Sequence, residues 1–169
     1  MALGVDYAAQ QCSVARTLEV VGSRWTLLIV RDCFFGVRRF SDLREHLGVS
    51  RAVLAERLAQ LVDDGVLVRV PSGGREAYDL TAKGLALWPV VVALLAWGDE
   101  FSAPDGPRRL FSHAACGTDL DRAGACPACG TSPSPYDVEM RPGPGSRGPQ
   151  GPGKVSAALQ ERRRLLESI

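Results

Sequence analysis

His113 and Cys116 are separated by two residues, as are Cys126 and Cys129, and each pair is followed by a glycine, Gly117 and Gly130. Nine residues lie between Cys116 and Cys126. A two-residue knuckle ending in glycine lets both ligands of a pair face one ion, while backbone N–H groups point at sulfur. Three cysteines and one histidine make a tetrahedral set typical of structural zinc. Four protein ligands leave no open position, so the chemistry would be structural and not catalytic. The competing reading is a degenerate ribbon whose four residues hold no metal.

A second group of residues is suited to nucleic acid. Ser50 and Arg51 begin a segment whose outward positions are Ala52, Ala55, Glu56 and Gln60, while Leu54, Leu58 and Leu61 fall on the opposite face. An arginine there can read guanine or grip phosphate, and small alanines allow close approach to base edges. Arg75 follows Ser72-Gly73-Gly74, and Arg38-Arg39 precede a short helical segment; both can hold phosphate.

These residues need elements to hold them. Val14, Leu18, Val21, Trp25, Leu28 and Ile29 recur at helical spacing and predict one helix over residues 13–34. Ser41 caps a short second helix, Gly48-Val49 makes a tight turn, and Ser50 caps a third helix over 51–63 that Asp64-Gly65 stops. Val66, Val68 and Val70 alternate, Pro71 to Gly74 turn the chain, and residues 75–80 return as a second strand. Thr81 caps a last helix to about Phe101, bent at Pro89. Helix, short helix, turn, helix, hairpin, helix is the order of a winged helix-turn-helix, in which the helix after the turn projects into a major groove.

The expected fold is mostly α with a small β-hairpin wing, an appended zinc-ribbon-like module and a flexible C-terminal tail. Residues 1–103 form the DNA-binding and dimerisation domain, 104–140 the module, 141–153 a Pro/Gly-rich linker and 154–169 a short C-terminal helix. The run Leu85–Trp97 is apolar around its circumference, so it needs a partner beyond its own domain, and a second copy of the chain is the simplest.

Lys plus Arg number 20 against 19 Asp plus Glu, a net charge of +1, so one local face must bind any DNA. Five cysteines, an odd number, argue against a disulfide scaffold. Residues 1–11 lack the pattern of a signal peptide, and the 13-residue apolar run is short of the roughly 20 that span a bilayer. The expected location is therefore the cytoplasm, with no membrane partner. A nucleophile with a neighbouring base, a phosphate loop and an open metal site are all lacking, which gives an enzyme little support.

The chain resembles the HxlR family of bacterial regulators, relatives of the MarR type. The resemblance rests on Cys12-Ser13-Val14, Leu18 through Ile29, Arg39-Phe40-Ser41-Asp42-Leu43, Leu54, Arg57-Leu58, Leu61, Asp64-Gly65 and Tyr78 through Gly84, in order over residues 12–100. Ser23-Arg24 stand where members often carry Gly-Lys, and Ala77 where many carry a glutamate of a wing-stabilising ion pair. The resemblance implies a homodimer on palindromic or repeated operators in duplex DNA. It also matches Cys12 to an N-terminal cysteine that some members use as a thiol sensor, so a redox or small-molecule effector is a variant of the same function. A half-buried structural role for Cys12 is the alternative. The reading from a different class is a zinc-ribbon protein-interaction adaptor.

Overall fold

The computed structural model describes residues 7, 10–149 and 151–169. The single helix expected over residues 13–34 is two: α1 (Ser13–Val21) and α2 (Thr26–Phe34). Gly22 closes α1 onto the Leu18 carbonyl, and Thr26 N–H bonds the Ser23 carbonyl in the turn between them. The apolar period runs through this break, because a turn that keeps both helices on one core hardly disturbs the spacing.

The helix-turn-helix follows. Helix α3 (Phe40–Leu47) ends at Gly48, which is left-handed at φ 62°, and α4 (Arg51–Asp63) begins at Ser50. Ser50 Oγ accepts from Val53 N–H at 3.4 Å, satisfying one of the orphan donors of the first turn. Leu43, Leu54, Leu58 and Leu61 are fully buried with Ile29, Val30 and Phe34 of α2. Strands β1 (Leu67–Ser72) and β2 (Arg75–Leu80) form an antiparallel hairpin in which Ser72 pairs with Arg75. The turn is therefore only Gly73-Gly74, both at positive φ, the conformation that the right-handed twist of a two-residue hairpin selects. Pro71, expected in the turn, sits within β1, on an edge strand where its missing N–H costs no ladder bond.

Thr81 Oγ1 accepts from Gly84 N–H at 3.2 Å and starts α5 (Ala82–Leu85). The chain breaks at Ala86-Leu87 and resumes as α6 (Trp88–Phe101), with Pro89 in its first turn. Proline at that position breaks no helical bond, so Pro89 begins a helix where a bend within one was expected. By length and hydropathy alone, Ala82–Phe101 would qualify as a membrane-spanning helix. The break leaves a longest uninterrupted helix of 14 residues, about 21 Å long against a bilayer core of about 30 Å.

The C-terminal third differs from expectation. Strands β3 (Arg109–His113), β4 (Val138–Pro142) and β5 (Arg163–Arg164) form an antiparallel sheet in the order β3-β4-β5. Its inner face joins the core of the winged helix: Val138 and Met140 are buried there, and Phe111 packs against it. The expected C-terminal helix is only α7 (Lys154–Ala158), and the chain beyond it is not a free tail. Val155, Leu159, Leu165 and Leu166 are buried, Leu166 N–H bonds the Phe34 carbonyl at 2.7 Å, and Ile169 N–H bonds the Gly36 carbonyl at 3.1 Å. The apolar side chains of module and tail, too few for a core of their own, complete one shared with α2 and α6. The Pro/Gly stretch is likewise pinned. Gly143 and Gly145 lie so close to residues 106–108 that a Cβ would come within 2.2 and 2.0 Å of the Pro107 and Gly106 carbonyl oxygens. These glycines serve backbone-on-backbone packing, which composition alone reads as linker.

Candidate nucleic-acid interface and metal centre

The residues expected to touch DNA divide into two sets. Arg39, Arg51 and Arg75 line one cleft between the wing and the start of α4, together with Phe40, Ser41 and Glu76. The guanidinium carbon of Arg51 lies 5.7 Å from the centre of the Phe40 ring, a cation–π placement that holds the side chain at the mouth of the cleft. Ser50, Arg51, Ala52, Ala55 and Glu56 are all exposed along α4, as the leucine spacing on the other face requires. Glu56 pairs with its neighbour Arg57.

Arg38 does not belong with them. Its Nη1 pairs with Asp79 Oδ1 at 2.6 Å, and its Nη2 donates to the Leu166 carbonyl, so it fastens β2 and the C-terminus to the segment between α2 and α3. Of the Arg38-Arg39 pair, only Arg39 faces the cleft. Arg44, unremarked in the sequence, lines the adjoining cleft with Ser41 and Arg51. Its signal was available: it lies three residues after Ser41 on the exposed side of α3. Ala77 is 2% exposed and its backbone bridges to Arg39, so a glutamate here would be a buried carboxylate.

His113, Cys116, Cys126 and Cys129 come together with all ligand atoms within 4.8 Å of one another. Cys116 Sγ stands 3.5 Å from Cys126 Sγ, 3.6 Å from Cys129 Sγ and 3.6 Å from His113 Nδ1. Ligands about 2.0–2.3 Å from a tetrahedral ion are separated by roughly 3.5–3.8 Å, so the donor set fits a zinc ion in chemistry and spacing. The knuckles are built by the backbone: Gly117 N–H bonds the His113 carbonyl at 2.7 Å, and Gly130 N–H bonds the Cys126 carbonyl at 2.8 Å. Hydrogen bonds from the Thr118 side chain and backbone hold the Cys116 thiol down to about 6. Hydrogen bonds shared with Cys116 and Cys126 push Cys129 up to about 11.

The other two cysteines differ sharply. Cys33 is buried, and desolvation pushes its thiol far above the usual range. Cys12 is exposed at the N-cap of α1, where its side chain makes no capping bond. His46 of α3 is nearly buried, with Nδ1 2.8 Å from Asp32 Oδ2.

The sequence profile of the HxlR-like helix-turn-helix family matches residues 20–105. An uncharacterized HTH-type transcriptional regulator of Mycobacterium tuberculosis is 44% identical over 137 residues, covering 79% of this chain and 87% of that one. A match of that extent necessarily runs through the segment from His113 to Cys129. The crystal structure of PA1607, a candidate transcription factor, is 43% identical and superposes with a TM-score of 0.61 over 66% of this chain and 81% of that one. The redox regulator HypR in its oxidized form is 28% identical, with a TM-score of 0.50 over 53% of this chain and 96% of that one. With its helix-turn-helix, its wing and these relatives, the chain belongs to the HxlR-like helix-turn-helix family of transcriptional regulators.

Proposed function

We propose that the chain is a sequence-specific regulator that binds palindromic operator DNA as a homodimer, with α4 in the major groove and the β1–β2 wing against the backbone. The observation that carries this reading is the convergence of Arg39, Arg51 and Arg75 on one cleft between recognition helix and wing. Arg51, at the start of α4, is placed to meet a base edge; Arg39 and Arg75 meet phosphates on either side. In this reading Arg38 contributes by bracing the wing. The test is fluorescence anisotropy with the duplex upstream of the chain's own gene and a scrambled duplex of equal length. Tighter binding to the first, lost in Arg51→Ala, supports the reading; equal binding to both sinks it.

His113, Cys116, Cys126 and Cys129 would hold one structural zinc ion. When bound, the ion would neutralise the thiolates and fix the two knuckles under β3. Residues of the chain do the rest: they present the donors and leave no position for substrate.

A second reading adds a thiol switch. Cys12 is the one exposed cysteine outside the metal cluster among the described residues, and HypR, a redox regulator, shares the fold. Oxidation of Cys12 beside α1 would then alter operator affinity. Loss of the peroxide or diamide response in Cys12→Ser would support it, and an unchanged response would refute it.

A further inference from the structure

The C-terminal wrap creates a cavity of about 390 Å³ that shares no lining residue with the cleft of Arg39, Arg51 and Arg75. Arg31 of α2, Arg108, Arg109 and Arg147 all line it, with His46 of α3 beside them. No carboxylate is among its lining residues. Asp32 lies behind the wall, and its oxygens are already engaged by Arg31 and His46. Arg147 meets Asp105 at the outer rim at 2.6 Å. Among the described residues neither Arg108 nor Arg109 has an ion-pair partner. Arg109 Nη1 donates only to the Leu159 carbonyl, and burial together with the nearby Arg31 charge lowers its pKa. A half-buried guanidinium held beside another, with no acid of its own, is destabilised by both desolvation and repulsion. Phe35, Leu95 and Leu159 give the wall an apolar part, beside the polar side chains of Ser146, Ser156 and Gln160.

We propose that this cavity binds a small organic anion, a carboxylate or phosphate carried on an apolar body. The charged head would be held by Arg108 and Arg109, with Arg31 behind them and Arg147 turning from Asp105 at the rim to close on it, since guanidinium groups match both anions with paired hydrogen bonds. The apolar body would lie against Phe35, Leu95 and Leu159. The volume is that of a site for one small ligand, and convergent charged groups facing an apolar patch would orient such a ligand. Its location gives occupancy a consequence. The cavity is walled on one side by His46 in the first helix of the helix-turn-helix and on the other by Leu159 and Gln160 of the tail. Lys154 of the same tail already pairs with Asp42 of α3 at 3.1 Å. A bound anion therefore fastens the C-terminal segment to the element that positions α4.

The binding is independent of the DNA reading and is measured on the full chain without DNA. Benzoate and phenyl phosphate are titrated by calorimetry at constant ionic strength, with benzyl alcohol as the neutral counterpart. Both anions are expected to bind with one site per chain and to raise the melting temperature. Arg108→Gln and Arg147→Gln should each weaken binding about tenfold, the loss of one charge-assisted hydrogen bond. Arg69→Gln, on the exposed face of the wing, should not change it. Arg147 is mostly exposed, so its variant tests the site even if Arg108→Gln folds poorly. No saturable binding of either anion up to about 10 mM, equal binding of benzyl alcohol, or unchanged affinity in Arg147→Gln would each overturn the proposal.

Discussion

Trp88 of α6 meets Phe111 of β3 edge-on, with ring centroids 5.5 Å apart and ring planes at 76°. Trp88 also lies 5.0 Å from Phe34 of α2, so one tryptophan joins the winged helix to the C-terminal sheet. Two units that share a core residue in this way should unfold together. Urea unfolding followed by tryptophan fluorescence and by far-UV circular dichroism should give coincident single transitions. Phe111→Ala should lower stability by about 2–3 kcal/mol, less than for a fully buried ring because Phe111 is only half-buried. Two separated transitions would show that the sheet folds on its own.

The metal cluster makes a prediction with a definite sign. Purified under reducing conditions without chelator, the chain should carry one zinc per molecule by elemental analysis, and Cys126→Ser should abolish it. In the metal-free protein Cys116 has a folded pKa of about 6 against an ordinary value of 9.0. Its contribution to stability is therefore present above pH 9 and lost as pH falls through 6. Cys129 is opposite: its raised value favours the folded state below pH 9, and that is lost as pH rises through 11. Iodoacetamide labelling of the metal-free chain should accordingly modify Cys116 first, with a midpoint near pH 6 and Cys129 unreactive there. Equal labelling of the two at neutral pH would contradict this order.

Arg75 and Arg38 should fail in different ways. Arg75→Ala should weaken binding to all duplexes and flatten the salt dependence by about one unit of slope, as expected for one lost phosphate contact. Arg38→Ala should leave the salt slope unchanged and instead lower stability by about 1–2 kcal/mol, because Asp79 loses its partner and the Leu166 carbonyl its donor. A reversed pattern would place Arg38 on the DNA and Arg75 in the scaffold.

The contrast between these arginines shows where sequence reasoning stopped. The leucine period of α4 and the Ser50 cap were legible, because local propensity and burial agree there. The two metal pairs were legible because ligand geometry is encoded in spacing only a few residues long. What could not be read was which polar groups would meet across the chain. Arg38 lies 41 positions from Asp79 and still further from Leu166, and a basic dipeptide alone does not show which arginine turns inward. Asp32 and His46 are likewise 14 apart. The glycines at 143 and 145 gave a misleading signal: the composition that marks a flexible linker also permits two backbones to touch. The tail was misjudged for a related reason. Leu165 and Leu166 have no helical or alternating company, and their burial depends on β4 and α2 already being in place.

The proposed dimer would be built from the apolar side chains that the fold leaves uncovered. Of the apolar run in α6, Trp88, Val91 and Val92 turn into the chain's own core, whereas Leu94, Trp97 and Phe101 are 51%, 60% and 64% exposed. These three recur at helical spacing, and the Trp97 and Phe101 rings lie 5.3 Å apart. On α1, Val14 and Leu18 form a second exposed apolar pair one turn apart, 66% and 44% exposed. Covering such a stripe against its twofold copy involves each side chain twice. Five side chains on each subunit, each gaining about 1 kcal/mol or more as its exposed part is buried, stand against an association cost of roughly 4–15 kcal/mol. Leu94→Asp should therefore yield a monomer that keeps its fold, since Leu94 contributes little to the subunit core, and operator binding should fall with it. Val91→Asp should unfold the subunit instead, because Val91 is 3% exposed. Sedimentation velocity at about 10 µM, a concentration at which a micromolar dimer is mostly associated, distinguishes these outcomes. A wild-type chain sedimenting at the monomer mass, or an unchanged dimer in Leu94→Asp, would remove α6 from the interface.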